Sequence, residues 1–234
     1  SEGYSARDTD DENDGFEQTE VNLFAAYQVS DTIRLGVNGL WSEGVSELDR
    51  SATDNTGEID ETRRGARVFG EVQTGAWTHE LSFSRFETNR FDGNGFTRDF
   101  VGERDTAAYL AQGDVSSTMS LALGADWTEE RSELDGDAYD ASNSAVFAEI
   151  KATPTDAVEL SLTLRYDDYS DFDGRLSGRA ALSYQMNDAT ILRASLGSGY
   201  RAPSLYERFG TFDGWSPLIH DESLSFVFGV GHNY

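Results

Sequence analysis

Along much of the chain, apolar and polar residues alternate one by one. Val21, Leu23, Ala25 and Tyr27 interleave with Glu20, Asn22, Phe24 and Ala26; past Ser30-Asp31, Ile33, Leu35, Val37, Gly39 and Trp41 interleave with Arg34, Gly36, Asn38 and Leu40. The same period returns in Met119, Leu121, Leu123, Ala125 and Trp127 against Ser120, Ala122, Gly124 and Asp126. It returns again in Val158, Leu160, Leu162, Leu164 and Tyr166 against Glu159, Ser161, Thr163 and Arg165. Side chains two apart share one face of an extended strand, so each run has one apolar and one more polar face. The pattern predicts about ten antiparallel strands, over 16–29, 32–47, 64–74, 76–90, 103–113, 117–131, 143–153, 157–169, 174–186 and 189–200. Most are longer than the roughly five or six residues usual in globular domains.

The connections alternate as well. Short polar turns are expected at Ser30-Asp31, Gly75, Val115-Ser116, Pro154-Thr155-Asp156 and Asn187-Asp188, and longer segments at 48–63, 91–102, 132–142 and 170–173. Long strands with short turns at one end and long loops at the other describe a transmembrane β-barrel, whose lipid-facing side is apolar and whose lumen is polar. Aromatic residues mark both ends of the apolar face. Tyr27, Trp77 and Tyr184 lie beside the short turns, and Trp41, Trp127, Tyr166 and Tyr200 near the long connections. Two interfacial girdles of this kind suit a bilayer. Parity puts Leu121, Leu123, Leu160, Leu162 and Leu164 toward lipid, and Glu20, Asn38, Asp126 and Arg165 toward the lumen.

Composition narrows function. The 234 residues carry a formal charge of −25, with a pI near 4.2, which excludes a nucleic-acid-binding surface built on Lys and Arg clusters. There is no cysteine, so thiolate metal sites and cysteine nucleophiles are excluded. The chain opens at Ser1 without a basic-then-apolar leader and contains no run of about 18 apolar residues that would form a spanning helix. Catalysis has little support. His79, His220 and His232 are scattered, and Ser198 lacks the Gly-x-Ser-x-Gly elbow and its strand-to-helix setting.

Nearly half of the 43 acidic residues fall in 1–15, 43–64 and 129–140, at the expected outer ends. Asp10 to Gly15 (DDENDG), and Asp49 with Asp60 across one connection, offer the hard oxygen ligands that calcium takes. Solvated loop acids are the alternative. Two other architectures also remain open: a small passive outer-membrane porin or adhesion barrel of ten or twelve strands, and a secreted calcium-binding β-sandwich.

Gly178-Arg179-Ala180-Ala181-Leu182-Ser183-Tyr184, a turn, and then Leu192-Arg193-Ala194-Ser195-Leu196-Gly197-Ser198-Gly199-Tyr200-Arg201-Ala202-Pro203-Ser204-Leu205 resemble the mid-barrel signature of TonB-dependent outer-membrane receptors. Asp14-Gly15-Phe16 ahead of a strand, and Arg165-Tyr166-Asp167-Asp168, are similar to that family as well. The resemblance implies an all-β fold, an antiparallel transmembrane β-barrel segment of about ten strands out of 22, with the N-terminal plug absent from this stretch. It places Tyr200, Arg201, Ala202 and Pro203 at the outer rim, where a strand enters an extracellular loop. It also implies location in the bacterial outer membrane, contact with outer-membrane lipid, and uptake of a scarce bulky ligand such as cobalamin, a ferric siderophore or haem. Energy would come from the TonB complex acting through the plug. Residues 1–210 are expected to be a partial barrel, beginning and ending outside. Residues 211–234 are expected to be a divergent tail, read either as one further strand over 224–231 or as a truncated or frame-shifted end. In cobalamin-transporting members the calcium-binding loop aspartates have the spacing found here, 35 residues from Asp14 to Asp49 and 11 from Asp49 to Asp60, with Glu12 at another ligand position. An early aspartate of that set stands here as Ser5.

Overall fold

The computed structural model describes residues 14–48, 57–93, 95, 97–209 and 221–232. They form a single antiparallel sheet in which each strand pairs with its neighbours in sequence. The strands are β1 (Phe16–Ser30), β2 (Ile33–Leu48), β3 (Gly57–Thr74), β4 (Trp77–Asp92), β5 (Asp99–Ser116), β6 (Met119–Leu134), β7 (Asp137–Thr155), β8 (Val158–Tyr169), β9 (Arg175–Asn187), β10 (Thr190–Arg201) and β11 (Asp221–His232). A short helix, α1 (Leu205–Phe209), lies between β10 and β11. There are eleven strands rather than about ten, because 221–232 pairs along the whole of β10, from Thr190↔His232 to Arg201↔Asp221. No helix among the described residues is long and apolar enough to cross a membrane.

Cross-strand register turns the alternation into two continuous faces. Leu121, Ile150, Leu162 and Ala180 lie side by side on β6 to β9, as do Leu123, Ala148, Leu164 and Gly178. The opposite face carries Asp126, Ala145 and Asp167 in one row, and Gly124, Phe147 and Arg165 in the next. Glu20 and Asn38 fall on this polar face too, paired with Ser42 and Phe24. The apolar face keeps Leu23, Leu81, Val146 and Leu164 exposed, and among the described residues few apolar side chains are buried. A β-sandwich needs a second sheet to cover such a face. The described residues form one sheet only, so the sandwich alternative is set aside.

The loop pattern differs from expectation in an informative way. Turns at one end are all of two residues: 31–32, 75–76, 117–118, 156–157 and 188–189. At the other end, strands run on into stretches expected to be loops. β3 already begins at Gly57, β5 at Asp99, and β6 and β7 meet at the two-residue turn Asp135-Gly136. Outside an apolar layer the strands still satisfy their backbone by pairing, but polar residues there occupy both faces and the period of two disappears from view. Asp135 and Gly136 both have positive φ (52° and 94°), as a primed hairpin turn requires. Asp-Gly between pairing segments is the sequence sign of that turn.

Gly136→Ala places a Cβ where φ is unfavourable and should cost the hairpin tip roughly 1 kcal/mol. The expected result is faster amide hydrogen exchange over 131–140 with exchange in β8–β10 unchanged. Unaltered exchange at the tip would remove this role for the glycine.

Candidate functional site

The strand β10 stops where Pro203, two residues on, cannot donate to a ladder. Ser204 then starts α1 with a reciprocal cap: its Oγ accepts from the Glu207 backbone N–H at 3.2 Å, and Glu207 Oε2 accepts from the Ser204 backbone N–H at 2.9 Å. The same carboxylate takes a bidentate pair of bonds from Arg201, at 2.8 and 2.9 Å. These contacts turn the chain back across the polar face of the sheet. Leu205 is buried, Tyr206 meets Phe100 edge-on at 5.8 Å, and Phe209 stacks on Tyr139 at 4.1 Å. Arg208 bonds Asp171 at 2.6 Å and lies over the rings of Phe172 and Phe209. Arg201 and Ser204 hold the Glu207 carboxyl far below its ordinary value of 4.5, at about 2.

Beneath α1 is a recess of about 390 Å³ whose lining includes Arg104, Thr128, Asn143, Arg165, Tyr169 and Arg208. Its floor is organised by Arg165, which binds Asp126 through both terminal nitrogens (2.7 and 2.9 Å) and Asp167 through Nε (3.0 Å). Asn143 donates to Asp167 at 2.9 Å, and Arg104 is paired with Glu130. One step inward, the Phe147 ring lies flat over Gly124, so that any Cβ at 124 would overlap it, and the Arg165 guanidinium sits 5.9 Å from the ring centroid. The same unit recurs on β2 and β3. Phe69 covers Gly36, with Arg67 and Arg34 at 4.8 and 5.7 Å. The wall can therefore present donors, acceptors and aromatic surface in fixed positions.

The expected rim residues come together only in part. Arg201, Ala202 and Pro203 belong to the folded-in segment. Tyr200 stands 5.4 Å from Tyr169 and under Arg175 at 5.5 Å, instead of extending the outer girdle, because β10–β9 pairing ends at Ser198↔Gly178. Asp14 precedes β1, and Asp60 on β3 pairs with Val45 and Phe91; both lie at the rim opposite the two-residue turns. Glu12 and Asp49 lie outside the described residues, and among the described residues no three histidines or carboxylates converge as a metal site. The sequence reading missed Tyr206, Glu207, Arg208 and Phe209, although Ser204-x-x-Glu207 is a legible capping box. His79 bonds Thr74 and Tyr109, at 2.8 Å each, and lies on the apolar face, away from the recess.

Comparison with known proteins agrees with this architecture. Residues 1–233 match the family described as TonB dependent receptor-like, beta-barrel, and the chain belongs to that family. It is 26% identical over 223 residues to the vitamin B12 transporter BtuB of Vibrio cholerae serotype O1, a match covering 88% of this chain and 36% of the transporter. The siderophore receptor PirA from Pseudomonas aeruginosa superposes with a TM-score of 0.79 at 15% identity, over 94% of this chain and 44% of that one. The ferric yersiniabactin uptake receptor FyuA from Yersinia pestis gives 0.69 at 12%, over 99% and 45%. At such identities the structural likeness establishes the fold. The chain spans less than half the length of each of these relatives. Barrels of this family are outer-membrane proteins of Gram-negative bacteria. In a barrel of this kind the apolar face meets lipid and the polar face lines the lumen.

Two outcomes test the site. Gly124→Val should displace Phe147 and destabilise the barrel by about 1–3 kcal/mol, whereas Gly229→Ala, with nothing within 4 Å, should change the denaturation midpoint little; equal effects would contradict the Phe-on-Gly packing. Because the folded-state value for Glu207 lies below its ordinary 4.5, its stabilisation is in place above that pH and is lost as pH falls through about 2. Spin labels at Ala202 and Ala141 should hold their separation from neutral pH to pH 5 and move apart toward pH 2. Glu207→Gln should show the wider separation already at neutral pH.

Proposed function

We propose that this chain is part of the barrel wall of an outer-membrane receptor that takes up a scarce, bulky ligand, either cobalamin or a ferric siderophore, with energy supplied by TonB through a plug domain. The observation that carries this reading is the Arg-Ala-Pro segment with α1, folded across the luminal face at the outer end and closing a recess of ordered arginines, carboxylates and aromatics. Cobalamin is favoured over a siderophore by the sequence match to a B12 transporter, since the likeness to siderophore receptors supports the fold alone. Binding and transport explain the recess without any catalytic step.

The test is equilibrium binding of cyanocobalamin and of ferric enterobactin to the whole receptor in detergent. One of the two should bind at micromolar concentration or tighter, and Tyr169→Ala should weaken that binding by about tenfold, as the loss of a central aromatic contact does. No binding of either ligand would overturn the proposal.

Calcium at the outer rim is the second part of the proposal. Glu47 and Glu58 stand directly opposite one another on β2 and β3, a like-charge pair next to the Val45↔Asp60 step, and Gly15, beside Asp14, bonds Glu47 through both backbone groups. Asp14, Asp60 and, by spacing, Glu12 and Asp49 would supply the hard oxygen donors that calcium takes. Bound calcium would order the connections around an incoming ligand and reduce the entropy lost on binding. Ligand affinity should be higher in millimolar calcium than in chelator, and Asp49→Ala with Asp60→Ala should abolish the difference. Equal affinity in both conditions for the unmutated receptor would remove calcium from the account.

A further inference from the structure

On the luminal face, Arg179 of β9 and Arg193 of β10 stand apart from the other cations that the strands present there. Both are exposed, and neither has an ion pair or a hydrogen bond to its side chain among the described residues. Every other Lys or Arg on that face of the described strands is paired, for example Arg34 with Glu71 at 2.8 Å and Arg175 with Glu222 at 3.4 Å. Register explains the difference. The acid in the Arg179 row is Glu149, two strands away beyond Thr163, and it is already held by Lys151 at 2.9 Å and by the Thr163 hydroxyl at 3.2 Å. The acid in the Arg193 row is Glu159, also two strands away, beyond Ser183. Two strand spacings are about 10 Å, and both arginines lean the other way. The Arg179 Cγ lies 3.4 Å from where a Cβ on Gly197 would stand, and Arg193 Nη1 lies 3.5 Å from the same point at Gly231.

The wall between the two arginines consists of Ala181, Ser183, Ser195 and Gly197, with Ser161 and Thr163 beside them on β8. Elsewhere Phe69 and Phe147 lie flat on the luminal surface, whereas here the side chains are small and a second body can come close to the backbone. From the Thr163 row to the Glu159 row, Lys151 and Glu149 cancel and two arginines stand against Glu159, so the local balance is positive. A guanidinium without a partner keeps all its N–H donors free, and its fork takes a carboxylate through two parallel bonds. The two forks are offset by four residues, about 13 Å, along the strands. A ligand seated in the recess does not supply both carboxylates. The row of Arg193 lies six residues below Arg165 on β8, about 20 Å deeper in the barrel. More than half of each relative lies outside the stretch that this chain matches, which leaves ample chain to occupy the lumen at that depth.

We propose that Arg179 and Arg193 are docking points for carboxylates carried by a protein segment that fills the lumen, an inference that rests on the plug of the proposed function. The test is labelling of the whole receptor with phenylglyoxal, which reacts with free guanidinium groups, with no transported ligand added and each arginine read by mass spectrometry. The same residues in urea-unfolded receptor set the rate of a free side chain. In the folded receptor Arg179 and Arg193 should react about tenfold or more slowly, as charge-assisted bidentate pairing requires. Pairing is separated from mere coverage by substitution. Arg179→Gln with Arg193→Gln should speed amide hydrogen exchange in the enclosed segment, and Arg179→Lys with Arg193→Lys, which keep the charge, should hold it near the unmutated rate. Neither pair of changes breaks an ion pair or side-chain hydrogen bond among the described residues, so the barrel itself should keep its stability. Labelling at the unfolded rate, or equal exchange in the Gln and Lys variants, overturns the proposal. Protection that appears only on adding cyanocobalamin or ferric enterobactin also overturns it, and assigns the arginines to the ligand path. Reaction of Ala181→Cys with a water-soluble maleimide distinguishes two failures. If that cysteine is shielded while the arginines react freely, this inference alone fails; if it reacts as well, the lumen is open and the plug of the proposed function fails with it.

Discussion

The constraint on which the rest depends is the backbone hydrogen-bond ladder. Inside a bilayer an unpaired N–H or C=O costs several kcal/mol, and only a strand's neighbours can satisfy it. The chain answers by pairing neighbouring strands in sequence order, and the eleven strands among the described residues are twelve to nineteen residues long. Few apolar side chains are buried among the described residues, so the sheet is held by its ladder and by what is packed along each face. A slip of one residue would exchange the faces and carry Arg165, with its two carboxylates, into hydrocarbon.

Register also builds the luminal wall. Because Phe147 stands directly opposite Gly124, the ring can lie down on bare backbone, and Arg165 on the next strand can stack above it while gripping Asp126 and Asp167. Phe69, Gly36 and Arg67 repeat the arrangement on β2 and β3. Flattened aromatics of this kind leave the lumen open above them, and α1 enters that space. One anchor is local, Arg201 and Ser204 on Glu207, and the other is distant, Asp171 on Arg208, so the segment is braced at both ends without belonging to the ladder.

What the sequence revealed follows from this division. Where one face meets lipid, Leu160, Leu162 and Leu164 alternate with Ser161, Thr163 and Arg165, and strand, face and family resemblance could all be read. Beyond the apolar layer that signal ends. The outer parts of β6 and β7, with Glu133, Asp137 and Asp140 among them, looked like a loop although Asp135-Gly136 marks a hairpin. The inward fold of α1 depends on Phe100, Tyr139 and Asp171, which lie 106, 70 and 37 positions earlier in the chain than the Tyr206, Phe209 and Arg208 they hold. No local pattern encodes such contacts. The rim acids Glu12 and Asp49 were legible as carboxylates in a suggestive spacing, but spacing carries no information about where side chains converge.

The central claim is that one face of this sheet meets lipid and the other lines an aqueous lumen. It is tested most directly by placing single cysteines at each position from 159 to 166 on β8 in the membrane-reconstituted receptor, and measuring their spin-label accessibility to a lipid-soluble and a water-soluble relaxant. The account predicts a strict period of two, with positions 160, 162 and 164 accessible from lipid and 161, 163 and 165 accessible from water. Leu162 and Thr163 reporting the same environment would contradict it.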